Sequence, residues 1–360
     1  MKNEAKLRNL NTLAEYVDDL QCNPELRYLF FELTDACNMA CLHCGSNASP
    51  NNRSYLSFES VSKVLTSVSN RYDARKIMVC LTGGEPLLHP DFFEIVSLSH
   101  KLGFKCGITT NGYRIDEETA LRMHKSGVQS VGISIDGTEQ MHDWFRNVRG
   151  AYRRAFNAVK NLASASDGAM SLQVTTVIHK QNISTLDEIY DEVLRMKADS
   201  WRIINIEPIG RALTHPELLL DRSDLRYILN YIRDKRFSVK TPIHVTFGCS
   251  HYLGEEFENE VRDHYFMCMA GLYVGSVLAN GDIYPCLDIE RRPELVQGNI
   301  GKDDFCDVWE NGFKFFRGER SRLCEDCKKC DEHAFCRGDS AHTWDYNNNK
   351  PLMCYKKYYE

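Results

Sequence analysis

The residues with the clearest chemical potential are the fifteen cysteines among 360 positions, and they are spread unevenly. Three form the run Cys37-x3-Cys41-x2-Cys44, and seven lie between 286 and 354, Cys306 included. Thiolates bind soft metals and iron–sulfur clusters, and a reducing compartment favours such ligation over disulfides. Structural zinc closes its shell with four ligands. Three thiolates therefore read either as a [4Fe–4S] site with one open iron or, with His43 added, as a Cys3His zinc site. Towards the C-terminus stand Cys268, Cys286, Cys327-x2-Cys330-x5-Cys336 and Cys354, with Cys324 just upstream; the C-x2-C pair is also an ordinary zinc knuckle. Cys22, Cys80 and Cys106 fall outside any ligand spacing and read as small core residues.

The elements that must position these thiols show in the hydrophobic pattern. Short β-rich apolar runs at Leu26–Thr34, Lys76–Thr82, Lys105–Thr110, Val128–Ile135, Leu172–Ile178 and Trp201–Ile206 read as buried strands. Between them, Phe58–Asn70, Phe92–Leu102, Glu117–Lys125, Ala151–Ala163 and Thr185–Lys197 carry apolar residues at helical spacing, and Ser223–Arg236 follows. This alternation predicts βαβ units, a parallel sheet, and active groups on the loops after the strand C-termini. Six units suit an α/β partial (β/α)6 TIM-like barrel. We expect an N-terminal extension over 1–24, a core domain over 25–240, and a cysteine-rich domain over 241–360 whose short strands and turns leave little core of its own.

Composition narrows the class. A net charge of −6 and ordinary hydrophobic (43%) and charged (26%) fractions argue against a nucleic-acid partner and against disorder. No apolar run approaches the roughly 20 residues of a membrane span, and the N-terminus lacks a signal-peptide pattern, so a cytoplasmic, soluble protein is expected.

The loops after the predicted strands carry the remaining motifs. Gly83-Gly84-Glu85-Pro86 follows strand two, and its glycines permit close backbone approach. Thr109-Thr110-Asn111-Gly112 closes strand three, Gly132-Ile133-Ser134-Ile135-Asp136-Gly137 closes strand four, and His142-Asp143-x2-Arg146 lies beyond. With the cysteine triplet, these motifs make residues from about Leu26 to Glu207 resemble the radical S-adenosylmethionine (SAM) superfamily. The resemblance implies that Cys37, Cys41 and Cys44 hold a [4Fe–4S] cluster whose open iron takes the amino and carboxylate groups of SAM. It places Gly83, Gly84, Glu85, Asn111, Ser134, Asp136 and Arg146 as candidate contacts to SAM, with Asn111 equally readable as a turn residue and Arg146 as half of a surface salt bridge. The implied chemistry is reductive cleavage of SAM to a 5′-deoxyadenosyl radical that takes a hydrogen atom from the substrate.

The region 250–360 resembles the SPASM domain of peptide-modifying radical enzymes. That resemblance implies one auxiliary cluster on Cys327, Cys330, Cys336 and Cys354. A second would have Cys268 and Cys286, with Ser340 where a cysteine is expected and Cys324, Cys249 or Cys306 as stand-ins. The implied cofactors are SAM, one SAM-binding [4Fe–4S] cluster and one or two auxiliary clusters. The implied partners are a peptide or protein substrate and a reductant such as flavodoxin or ferredoxin. Competing expectations are a small-molecule, tetrapyrrole-type reaction and a non-catalytic zinc or iron–sulfur protein. About 25 residues precede the first strand, too few for a winged-helix leader-binding domain, so a substrate peptide is expected to be recognised by the barrel and tail or by a separate protein.

Overall fold

A computed structural model describes residues 2–318 and 320–356. Strands β1 (Tyr28–Glu32), β2 (Met78–Thr82), β3 (Lys105–Thr110), β4 (Ser130–Ser134), β5 (Ser171–Ile178) and β6 (Ser200–Asn205) are the six expected ones, and β7 (His244–Phe247) joins them. All seven pair in parallel and in order. Their buried-half-buried alternation, as in β2 and β4, is the period-2 pattern of a pleated strand. The helices before the tail are α1 (Lys2–Cys22), α2 (Phe58–Arg71), α3 (Phe92–Lys101), α4 (Glu117–Ser126), α5 (Glu139–Arg146), α6 (Ala151–Ser166), α7 (Leu186–Met196) and α8 (Arg222–Phe237). Their starts are set by side-chain caps. Ser57 accepts from the Ser60 amide and Asp116 from the Thr119 amide, while Asp221 and Asp224 form a capping box at α8. Inward faces such as Val61, Val64, Leu65 and Val68 of α2 are buried, each worth about 1.5–3 kcal/mol of transfer free energy.

Two features depart from expectation. The tail does not stand apart: β8 (Val274–Val277) pairs in parallel with β1 and continues through β9 (Asp282–Tyr284) to β10 (Gly298–Asn299), extending the barrel sheet to ten strands. Nor does it lack apolar support, because Val277, Ile283, Phe305, Trp309, Met353 and Tyr355 belong to the same core as the barrel strands. The reason is economy of burial, since strands laid on an existing sheet edge share its core and cover that edge. The N-terminal extension is α1, which buries Leu10, Val17 and Leu20 and is tied to the tail by Arg337 bonding Asp18 and the Ala14 carbonyl. No described helix is long and apolar enough to cross a membrane. Tyr358 and Tyr359, which carry no signal in the sequence, lie outside the described residues, whereas Tyr355 is buried beside His251.

Candidate active site

The cysteine triplet sits on the loop after β1, which is pinned from several sides. The Gly84 amide donates to the Thr34 carbonyl (2.7 Å), the Glu85 amide to Ala36 (2.9 Å), and Arg211 reaches the Cys41 carbonyl through Nε (2.7 Å). A Cβ on Gly83 would meet the Thr34 oxygen at 2.3 Å, and one on Gly84 the Ala36 oxygen at 2.1 Å. Here the glycines serve close approach between two backbone loops. Gly210, at φ +53°, does the same from the loop after β6, where a Cβ would lie 2.3 Å from the Cys44 oxygen.

Around the thiols, charge and hydrogen-bond donors are ordered. Asn111 Nδ2 donates to Asn38 (2.8 Å) and lies 3.8 Å from Cys37 Sγ, while Arg146 Nη1 lies 3.8 Å from Cys41 Sγ. Burial pushes the Cys37 thiol up to about 12, with the nearby Glu85, Cys41 and Cys44 adding to the shift. Burial raises Cys41 too, against the pull of Arg146. His43 stacks on Phe145 (centroids 4.3 Å apart) and Phe145 on His179 (4.2 Å), making a three-ring wall. Burial first, then Arg146, lowers His43 to about 3, so its ring is neutral at physiological pH.

Glu85 and Asp136 differ from expectation. The Glu85 carboxylate is buried and accepts from the Thr110 hydroxyl (2.7 Å) and the amides of Asn111 (2.9 Å) and Leu87 (3.2 Å), so it holds the end of β3. Asp136 is likewise enclosed: Arg146 Nε donates to one oxygen and the Val177 amide to the other (2.9 Å). Arg146 is thus half of a buried ion pair, not of an exposed one. Asn111 is a hydrogen-bonded member of the site and not a left-handed turn residue. Ser134 ends β4 half-buried, in register with Thr175. Phe145, His179 and Arg211 were missed by sequence reasoning. They carry no motif spacing; the aromatic at 145 lies beside the His142–Arg146 stretch, and His179 lies in Thr175–Asn182, the end of the fifth strand that the resemblance places near the adenosyl group without a role for any one residue.

The donor set fits an iron–sulfur cluster. Tetrahedral zinc at about 2.3 Å from each sulfur holds its ligand atoms roughly 3.8 Å apart. Among the described residues the one trio of candidate ligand atoms lying within 4.8 Å of one another is Glu207, His251 and His342; no set of cysteines forms such a trio. His43 points into its ring stack, and its Nδ1, like Asn38 Nδ2 nearby, is buried without a hydrogen-bond partner. Buried thiols with raised pKa become thiolates only beside a compensating cation, which cluster iron supplies.

In the tail, Cys324, Cys327, Cys330, Cys336 and Cys354 line a single cleft, with Cys324 hydrogen-bonded to Cys327. This groups Cys324 with Cys327, Cys330, Cys336 and Cys354. The position where a cysteine is expected is filled by Ser340 itself, which is buried and donates to the Ser250 carbonyl, while the Ala341 amide reaches Cys268 Sγ (3.4 Å). Cys249 sits at the end of β7 against Asn205, and Cys306 bonds Ser67, so neither joins Cys268 and Cys286. Those two pack instead against Ala270, Leu278, Tyr284 and Phe316. Replacing both Cys268 and Cys286 by alanine is therefore expected to leave iron near eight atoms per chain, that is two clusters. A fall towards four on iron analysis would place a cluster there.

The fold and these two cysteine groups define an iron–sulfur enzyme built on a partial barrel. The Radical SAM superfamily profile matches residues 31–193, and the SPASM iron-sulfur cluster-binding domain profile matches 268–331. The AdoMet-dependent heme synthase of Nitratidesulfovibrio vulgaris is 27% identical over 355 residues, covering 93% of this chain and 94% of the relative. The mycofactocin maturase MftC of Mycobacterium tuberculosis is 30% identical over 316 residues, covering 86% and 77%. Streptococcus suis SuiB bound to S-adenosylmethionine shares the fold with a TM-score of 0.72 at 20% identity, over 88% of this chain and 73% of SuiB. A second SuiB structure, bound to its precursor peptide SuiA, gives 0.71. The chain belongs to the radical SAM superfamily, in the group that carries a SPASM domain, and its cofactors are [4Fe–4S] clusters and SAM.

Proposed function

We propose that this radical SAM enzyme acts on a side chain of a peptide or protein by hydrogen-atom abstraction, with Cys37, Cys41 and Cys44 holding the SAM-binding cluster. When bound, cluster and SAM supply one-electron cleavage of the sulfonium and the carbon radical that takes the hydrogen atom. The protein's own residues shape that event. Asn111 and Arg146 direct donors at Cys37 and Cys41, favouring thiolate. The His43–Phe145–His179 stack walls the site against water. Gly83, Gly84 and Ser134 border the space for SAM, while Glu85 and Asp136 act by fixing the loops that do so.

The observation supporting the peptide reading is the tail cleft, lined by five cysteines, four of which would hold one auxiliary cluster. Support comes from the similarity to MftC, named a mycofactocin maturase, and from the shared fold of SuiB, which binds a precursor peptide. Electrons would come from a flavodoxin or ferredoxin, and Cys327, Cys330, Cys336 and Cys354 are the auxiliary ligands we assign, with Cys324 alongside. A second reading, a porphyrin substrate, is favoured by the end-to-end match to a heme synthase. The two separate on deuterium transfer. We expect the reduced, cluster-loaded enzyme to move deuterium into 5′-deoxyadenosine from side-chain-deuterated peptides encoded beside its gene. Transfer from a propionate-deuterated iron porphyrin, and from no peptide, would sink the peptide reading.

A further inference from the structure

Outside the cysteine sites, one polar group is assembled from three distant segments. Glu207 follows β6, His251 follows β7, and Asp339 and His342 come from the tail. Glu207 bridges the two imidazoles, Oε1 lying 2.7 Å from His251 Nε2 and Oε2 2.8 Å from His342 Nε2. The second nitrogen of His251, Nδ1, is 2.7 Å from Asp339 Oδ2, and the other Asp339 oxygen accepts from the Tyr252 amide (2.9 Å). His251 is wholly buried and its ring is stacked on Tyr355 (4.4 Å), whose hydroxyl donates to Asn205 (2.7 Å). The ring orientation is thus fixed on every side.

The pattern of donors is informative. A carboxylate only accepts, so the bond to Asp339 commits the Nδ1 proton of His251 and leaves Nε2 as the lone-pair nitrogen. That nitrogen then faces Glu207, which also only accepts. Two acceptors at 2.7 Å need a proton between them, and a metal ion bound to both atoms can replace that proton as they move slightly apart. A carboxylate on the far nitrogen is the usual support of a metal-binding histidine, fixing its tautomer and raising its basicity. Glu207, His251 and His342 each bring a ligand atom to within 4.8 Å of the others, the two-histidine, one-carboxylate set that binds first-row divalent ions with positions left open.

We propose that Glu207, His251 and His342 hold one divalent first-row transition-metal ion, with Asp339 as the outer support of His251. On binding, the ion takes the place of the hydrogen-bonding protons at the two Nε2 atoms: His251, which keeps its Nδ1 proton on Asp339, gives its Nε2 proton to solvent, and His342 binds as the neutral ring with its one proton on Nδ1. Glu207 and His342 line a cavity shared with His43 and Asp288, so the open positions face the space beside the SAM site and accept an oxygen of the substrate. This site stands whether that substrate is a peptide or a porphyrin.

Cobalt(II) is the probe. The cluster-loaded enzyme, passed over a chelating resin and kept oxidised so that its [4Fe–4S] clusters are diamagnetic, is mixed with cobalt(II) and gel-filtered. We expect about one cobalt per chain beyond the unchanged iron, with electron spin-echo modulation from two imidazole nitrogens that changes on ¹⁵N-histidine labelling. Glu207→Gln and His342→Gln are expected to lower cobalt retention at least tenfold at the same iron content. Wild type retaining no cobalt, equal retention in the variants, or a sulfur-ligated spectrum overturns the proposal and leaves a proton-linked network. Should either variant lose its iron and fail to fold, the wild-type nitrogen modulation decides alone, and its absence is equally fatal.

Discussion

Replacing Cys37, Cys41 and Cys44 together by alanine is expected to abolish 5′-deoxyadenosine formation and to lower iron from about eight to about four atoms per chain. The loop itself should persist. It is held by backbone bonds from Gly84, Glu85 and Arg211 and by the Asp35 amide on Ser54 (3.1 Å), none of which uses a thiol. What would disappear is the ligand set we assign to the SAM-binding cluster, and with it the electron path into the sulfonium. Reduced wild type and variant are compared by chromatography of the nucleoside and by iron and sulfide analysis. Nucleoside formation in the variant at more than a few per cent of wild type would show that the chemistry lies elsewhere. Iron still near eight would show that these cysteines are not cluster ligands.

The second large effect is expected at Asp136. Asp136→Asn leaves the Arg146 guanidinium buried against a neutral amide, and uncompensated buried charges of this kind cost about 3–5 kcal/mol. The asparagine carbonyl can still accept from the Val177 amide, so the loss isolates the charge. Asp136→Asn/Arg146→Gln, which removes both charges, should recover more than half of it. Anaerobic urea unfolding of preparations matched in iron content measures both. A single-variant loss under about 1 kcal/mol would mean the pair is solvated or dispensable. The pH sign follows from the native carboxyl, which burial alone would raise but which Arg146 and His142 bring down to about 2. A depressed acid contributes stability that is complete above the unfolded value of 3.8 and lost as pH falls towards 2. The Asp136→Asn deficit should therefore be flat between about pH 5 and 9 and shrink only in acid.

Much of the site was legible because its signals are local. A C-x3-C-x2-C run needs only its own loop to bring thiols together. The strand and helix patterns around it depend on periodicity over a few residues, which is why β1–β6 and six of the seven helices α2–α8 were recognisable, while α5 and β7, of eight and four residues, were too short to show a period. Gly83 and Gly84 could be read as a close-approach turn, but the surface they approach, Thr34 and Ala36, lies some fifty residues away in the chain.

Sequence by itself therefore determined the chemistry on offer, namely three thiols with an open fourth position on a βα barrel loop, and a tail rich in further thiols. Tertiary packing decided how those groups are used. It turned Glu85 and Asp136 inward, because each carboxylate found its donors on a neighbouring strand end before any ligand. It laid β8 on β1 and gave the tail a share of the barrel's core. It placed Cys324 beside Cys327 and kept Ser340 at its own position. It also brought Glu207, His251, Asp339 and His342 together across separations of 44 to 135 residues. Spacing governs neighbours within a loop or a helical turn; which side chains meet across such distances is set by strand order and by the direction each residue faces when the sheet closes over its core.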